Sequence, residues 1–296
     1  MKLNAPFPWF GGKRRVARLV WERFGDVPNY VEPFAGSLAV LLARPTPPQV
    51  ETVNDIDCLL TNFWRAVKYA PNEVAEFADW PVSELDLHAR HAWLIAQKPE
   101  VRERLRSDPQ FFDAKVAGWW VWGAACWIGG GWGARNAKQI PHLHHAKGRG
   151  VVALAHSDRL HDTLQALQRR LRHVRICCGD WNRVLTKAVL FEPAKPCAVF
   201  LDPPYGSERA KGLYANDDQA LHKQVDEWAR RHGGNSNLRI ALCGLEGEHD
   251  LPGWDCVAWK AKGGYNNRTG GKNAHRERIW FSPHCLQPDH QLKLLG

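Results

Sequence analysis

The sequence holds eight cysteines but no C-x-x-C pair, so neither a disulfide scaffold nor a paired-thiolate metal site is expected. Cys177 and Cys178 adjoin in an apolar run, where free thiols pack as small hydrophobes, and a reducing cytoplasm fits this usage. The opening MKLNAPFPWFGGKRR lacks the apolar stretch of a signal peptide, which argues against secretion. The uncharged run 116–132 is interrupted by Gly118, Gly123 and a Gly triplet and is too short and broken to span a membrane. Internal repeats and low-complexity tails are absent, and a soluble protein is expected.

Apolar residues make up 44% and charged residues 24%, a globular composition in a chain long enough for one large or two small domains. Forty Lys and Arg against thirty-one Asp and Glu leave a net charge of +9, which attracts acidic partners. Fifteen tryptophans outnumber five tyrosines; aromatic faces beside positive charge can stack on bases, though core packing is the commoner role for any one of them.

Seven short apolar runs read as strands: 29–35, 50–54, 174–178, 197–201, 238–243, 255–260 and 277–281. Helix-like stretches lie between them at 13–24, 37–43, 57–69, 157–172 and 218–231. This alternation predicts an α/β, doubly wound, Rossmann-like sheet. The last two runs are joined by a long loop, KGGYNNRTGGKNAH, so one antiparallel strand is expected near the edge or the end of the sheet. Residues 71–150 break the pattern, being helical, then Gly- and Trp-rich, then basic. They are read as an inserted, mainly helical domain, with 1–70 and 151–296 forming the sheet domain.

The strongest chemical signal is Asp202-Pro203-Pro204-Tyr205, directly after the apolar run CAVFL. It sets a carboxylate, proline-fixed carbonyls and an aromatic ring at the carboxyl edge, where open α/β sheets bind ligands. A carboxylate beside a carbonyl is an acceptor pair matched to an –NH₂ group, and Tyr205 offers a face for a planar ring. The segment 32–37 (EPFAGS) follows the first run with a single glycine, so the G-x-G-x-x-G cradle for pyrophosphate is missing. Asp55 comes nineteen residues after Gly36, at about the spacing of an acid that holds ribose hydroxyls; alone, it reads equally as a helix cap. In the cluster 9–13 (WFGGK), two glycines permit close backbone approach, and Lys13 stands at a helix start, where the helix dipole does not favour a cation.

W-F-G-G-K, E-P-F-A-G-S, V-N-D, Asp180 in CCGDW and D-P-P-Y occur in one order, and that order resembles the Dam-like, alpha-group DNA adenine methyltransferases, including phage and prophage members. The resemblance covers about the first seventy residues and those from 174 onward; the middle matches loosely. It implies that Trp9, Lys13, Phe34 and Gly36 line a site for S-adenosyl-L-methionine (AdoMet), with Asp55 on the ribose and Asp180 near the adenine. It further implies that Asp202, Pro203 and Tyr205, with Pro204 beside them, hold a target adenine, and that the inserted segment chooses the DNA sequence. One departure stands out. Where the family often has a second glycine, this chain has Leu38, so the following helix is expected to start further from the cofactor.

The implied partner is double-stranded DNA, with no membrane and a monomer as the default. A base inside a duplex must flip out to reach such a pocket. Two basic stretches suit phosphate contacts. One comprises Arg135, Lys138, Lys147 and Arg149; the other comprises Lys260, Lys262, Arg268, Lys272, Arg276 and Arg278. His142, His144 and His145 lie in a basic loop without paired cysteines, and methyl transfer from a sulfonium needs no metal, so none is expected. Rival readings are methylation of the cytosine amine or of RNA adenine, whose –NH₂ groups suit the same acceptors, and a non-catalytic nucleic-acid-binding module.

Overall fold

The structure is a computed structural model that describes residues 3–9, 11–128, 131–134, 149–204, 218–259 and 276–287. A 3-10 turn (Lys13–Arg15) leads into α1 (Ala17–Phe24), β1 (Asn29–Glu32), α2 (Ala39–Leu42), β2 (Val50–Asp55) and α3 (Cys58–Tyr69). Four helices follow: α4 (Pro71–Ala78), α5 (Glu84–Ser107), α6 (Ala114–Cys126) and α7 (Gly150–Ala155). Alternation resumes with α8 (Leu160–Leu171), β3 (Arg175–Cys178), a 3-10 turn (Trp181–Val184), α9 (Lys187–Phe191), β4 (Cys197–Leu201), α10 (Asp218–His232) and β5 (Leu238–Leu245). The last elements are β6 (Asp255–Ala258) and β7 (Glu277–Phe281).

The seven strands among the described residues join one sheet in the order β3-β2-β1-β4-β5-β7-β6, the doubly wound, Rossmann-like arrangement expected. β1 to β5 pair in parallel, with Asn29 opposite both Val50 and Cys197. The reversed strand is β7, antiparallel to both neighbours and one place in from the edge, which β6 forms. Three strands are shorter than the apolar runs suggested, β3 by a single residue. β1 stops before Pro33, which has no N–H to give the ladder, and β6 ends at Ala258.

Strand period sorts the core into two layers. Cys197, Val199 and Leu201 of β4, with Leu238, Ile240 and Leu242 of β5, pack with Val225 and Ala229 of α10. Ala198 and Phe200, with Ala241 and Cys243, face the opposite layer. That second layer is continuous with the buried residues of α3, α4, α6 and α8, so the helices between β2 and β3 are rooted on the sheet. Side-chain caps start α3 and α6: Asp57 accepts from Leu59 N at 3.0 Å, and Asp113 from Val116 N at 2.8 Å. Asn62 of α3 fastens α6 by accepting from Asp113 N and donating to Asp113 O, each at 2.8 Å. All eight cysteines are free thiols, and five of them are buried. No helix among the described residues is long and apolar enough to cross a membrane.

α4 and α6 touch through backbone at Gly118, where an added Cβ would lie 2.3 Å from Phe77 Cβ and 2.9 Å from Val74 O. In an exposed helix, alanine in place of glycine stabilises by about 1 kcal/mol. Here the methyl must separate two helices, and overpacking of this kind costs about 1–3 kcal/mol. Gly118→Ala is therefore expected to lower stability, read as a lower urea midpoint at unchanged slope.

Candidate active site

The chain runs from β1 outward to β2 and β3, then crosses to β4 on the other side of β1. The crevice at the carboxyl ends of β1 and β4 is thus the topological switch point, where such sheets take their ligands. Four strand ends deliver side chains to this edge: Phe34 and Gly36 after β1, Asp55 closing β2, Asp180 after β3 and Asp202 after β4.

Lys13 joins them from the N-terminal turn. Its Nζ lies 2.8 Å from Asp202 Oδ1 and donates to Gly11 O at 2.9 Å, with the lysine 4% and the aspartate 24% exposed. Burial alone lowers an ammonium pKa; Asp202 is the chief group that outweighs it and holds Lys13 above its ordinary value. The Trp259 ring stands beside the pair, its centroid 5.6 Å from Lys13 Nζ and its buried Nε1 without a hydrogen bond among the described residues.

The turn after β1 is clamped from three sides. Gly36 N donates to Asp55 Oδ2 at 3.0 Å, Gly36 O accepts from Trp64 Nε1 at 3.0 Å, and Trp9 covers its Cα. Gly36 has a φ of +45°, and a Cβ there would come within 2.6 Å of Trp9 Nε1, so only glycine fits. Leu38 takes the left-handed conformation (φ +54°) at the N-cap of α2 and is fully buried. A glycine would adopt that backbone freely. Leucine bears about 1–2 kcal/mol of strain, offset by the roughly 1.5–3 kcal/mol gained on burying its side chain.

Asp55 also accepts from Asp57 N at 3.0 Å, through Oδ1. Burial raises its pKa to about 6, against the pull of the Asp57 and Gly36 N–H groups. Asn54 holds the flanking loops together by donating to Pro33 O at 3.1 Å and Gly179 O at 3.0 Å. Phe34 stacks on Trp181 with centroids 5.9 Å apart, and Asp180 caps the turn carrying that tryptophan, accepting from Asn182 N at 3.1 Å. Ile56, 67% exposed, gives this edge an apolar surface beside Asp55. A cavity of about 850 Å³ opens behind Trp9, lined by Phe7, Trp21, Ser37 and Leu42 among others; it lacks Asp55, Asp180 and Asp202.

Residues 9–85 match the family model of the D12 class N6 adenine-specific DNA methyltransferases. The matched segment contains Trp9, Lys13, Phe34, Gly36 and Asp55 and ends before Asp202. It is consistent with an enzyme of this kind, and it supports methylation of adenine in DNA. No curated protein matches the chain significantly.

The structure therefore gathers Trp9, Lys13, Phe34, Gly36, Asp55, Asp180 and Asp202 at one edge, with Pro203 and Pro204 following Asp202. Tyr205 lies outside the described residues, as do Arg135, Lys138, Lys147, Lys260, Lys262, Arg268, Lys272 and the three histidines of the basic loop. Arg149 is half-buried, and its Nη2 donates to Trp127 O at 3.0 Å. Arg276 and Arg278 reach Glu246, at 3.4 Å to its carbonyl and 2.6 Å to its carboxylate. Sequence reasoning passed over Asn54, Ile56, Trp64 and Trp259; the first two sit beside the acid it did single out.

Glu32 lies under the site, 2% exposed, accepting from the Tyr30 hydroxyl at 2.9 Å. Burial, with repulsion from Asp202 and Glu51, raises its pKa to about 8 despite that bond. An unfolded chain releases this proton near the ordinary value of 4.5, so between the two values the folded state binds more protons and stability falls as pH rises. Glu32→Gln removes this dependence. Urea unfolding at about pH 5 and about pH 8 should show the stability difference moving in favour of the variant at the higher pH.

Proposed function

We propose that the chain transfers a methyl group from AdoMet to the exocyclic nitrogen of an adenine flipped out of double-stranded DNA, as a Dam-like, alpha-group enzyme of phage or prophage type acting in the cytoplasm. The observation that carries the reading is Asp202, set at the switch point by the carboxyl end of β4 and held by Lys13 at 2.8 Å. The described residues fit AdoMet. Ile56 and the partly buried Phe34 supply apolar surface for a flat base. Asp55 accepts backbone N–H groups through both oxygens, and acceptor capacity remains on the carboxylate for a ribose hydroxyl.

Bound AdoMet supplies an electrophilic sulfonium methyl. The protein has to position the nucleophile, because the adenine amine shares its lone pair with the ring. Lys13 takes one acceptor site of Asp202, and a carboxylate has about four. Asp202 then accepts one N–H of the amine and the Pro203 carbonyl the other, which drives the nitrogen toward tetrahedral geometry. The same oxygens stabilise the positive charge that develops there, and one of the two amine protons leaves after transfer. Tyr205 provides the stacking face, worth about 1–3 kcal/mol against the cost of flipping. The helical segment 71–150 chooses the DNA sequence, and its basic residues and those of the last loop meet phosphates.

Asp202→Asn is the separating variant, since its amide oxygen can still accept from Lys13 Nζ, whereas alanine removes that acceptor together with the charge. With Asp202→Asn, methylated nucleoside measured by mass spectrometry should fall at least about 100-fold. Thermal stabilisation by S-adenosylhomocysteine should persist. Full turnover would refute the role of Asp202; a product other than N6-methyladenine would refute the substrate.

Asp55 makes cofactor binding depend on pH. Below about 6 it gains a proton and loses acceptor capacity, so S-adenosylhomocysteine affinity, measured by calorimetry, should weaken as pH falls from about 7 to about 5. In Asp55→Asn that dependence should vanish.

A further inference from the structure

A second polar cluster lies between α10 and the turn after β5. His222 and His249 stack with ring centroids 4.4 Å apart and planes 11° apart. Glu248 Oε2 is 3.7 Å from His222 Nε2, beyond hydrogen-bond distance. One ligand atom from each of His222, Glu248 and His249 lies within 4.8 Å of the others. His222 Nε2, Glu248 Oε1 and His249 Nε2 are all buried, and none has a hydrogen-bond partner; His249 itself is 7% exposed. A buried polar atom without a partner is costly, so three together call for a ligand.

The second polar atoms of His249 and Glu248 are committed in a way that aims the first. His249 Nδ1 lies 3.1 Å from Asp226 Oδ1. A carboxylate only accepts, so Nδ1 carries the ring proton and Nε2 presents its lone pair. Asp226 is fixed in turn by Arg230 at 2.7 Å. Glu248 Oε2 accepts from Leu245 N at 2.6 Å, which leaves Oε1 to point elsewhere. A histidine oriented by a carboxylate behind it is the usual support of a metal ligand.

We propose that His222 Nε2, Glu248 Oε1 and His249 Nε2 bind a divalent transition-metal ion, zinc by donor type, with Asp226 positioning His249. Two imidazoles and one carboxylate suit zinc; magnesium and calcium take all-oxygen shells. Ligand bonds of about 2.0–2.2 Å place donor atoms about 3.3 Å apart, so the stacked rings tilt toward each other as the ion enters. Water completes the fourth position. The ion ties α10, the helix that follows D-P-P-Y in the chain, to the turn after β5. The site is independent of the proposed methyl transfer, which needs no metal.

The test uses the untagged full chain, dialysed against EDTA and titrated with zinc or cobalt(II) chloride. One ion per chain is expected, with the visible absorption of four- or five-coordinate cobalt(II). His222→Gln and Glu248→Gln should abolish the spectrum, with circular dichroism like that of the metal-free wild type. Asp226→Asn should keep the stoichiometry and weaken affinity by about 10–100-fold. Should a glutamine variant fail to fold, the Asp226→Asn affinity and the H142A/H144A/H145A variant decide, the latter being expected to bind normally. Substoichiometric binding, unchanged affinity in Asp226→Asn, or loss of binding in H142A/H144A/H145A overturns the proposal.

Discussion

A lysine ammonium withdrawn from water must meet an opposite charge or lose its proton, and that requirement joins the two ends of the candidate site. Lys13 belongs to a turn that precedes the first helix; Asp202 ends the fourth strand. Removing two ions from water costs several kcal/mol each, which is recovered only with close geometry and further hydrogen bonds. The 2.8 Å contact and the second bond to Gly11 O supply both. The ion pair thereby fixes where the β4 carboxylate points and how the N-terminal turn lies across the sheet edge.

The neighbouring turn is held by neutral groups to the same end. Both polar backbone atoms of Gly36 are committed, one to Asp55 and one to Trp64, and Trp9 closes over its Cα. Asn54 adds a crosspiece between the loops after β1 and β3. With so many bonds converging, the left-handed Leu38 is tolerated. Its strain amounts to a small part of what its surroundings fix, and its side chain fills core where glycine would leave a cavity.

How far the sequence discloses this depends on distance along the chain. Strands were legible because an apolar run is a local signal and burial on both faces leaves a simple trace. Asp55, Asp180 and Asp202 were legible because each stands at the end of such a run, where fold topology puts ligands. The placing of β7 inside β6 was not, since a long loop permits either order. Nor was the Lys13–Asp202 pair: a lysine after two glycines reads the same whether it faces a ligand or a carboxylate nearly two hundred residues away. Arg149 shows the same. Its basic, Gly-rich setting carries no sign of the bond that its guanidinium makes to the backbone of Trp127. The His222, Glu248 and His249 group is built from two segments that only the packing of α10 against β5 brings together, and neither segment carries a metal-ligand spacing of its own.

The charge balance at the edge bears on how a carboxylate can serve an amine that becomes positive. An unpaired Asp202 would attract that charge more strongly, but its side chain would be free to rotate, and its alignment would have to be established during the reaction. Pairing with Lys13 cancels part of the attraction and removes that freedom beforehand. Glu32 supports the arrangement from beneath: with its pKa near 8 it is largely neutral at pH 7 and adds little repulsion to Asp202. For a transfer limited by the direction of a nitrogen lone pair, fixed acceptors are worth more than a larger but mobile charge. A buried cation next to the acceptor is on this argument compatible with methyl transfer, and it explains why a lysine stands where a helix dipole alone would not place one.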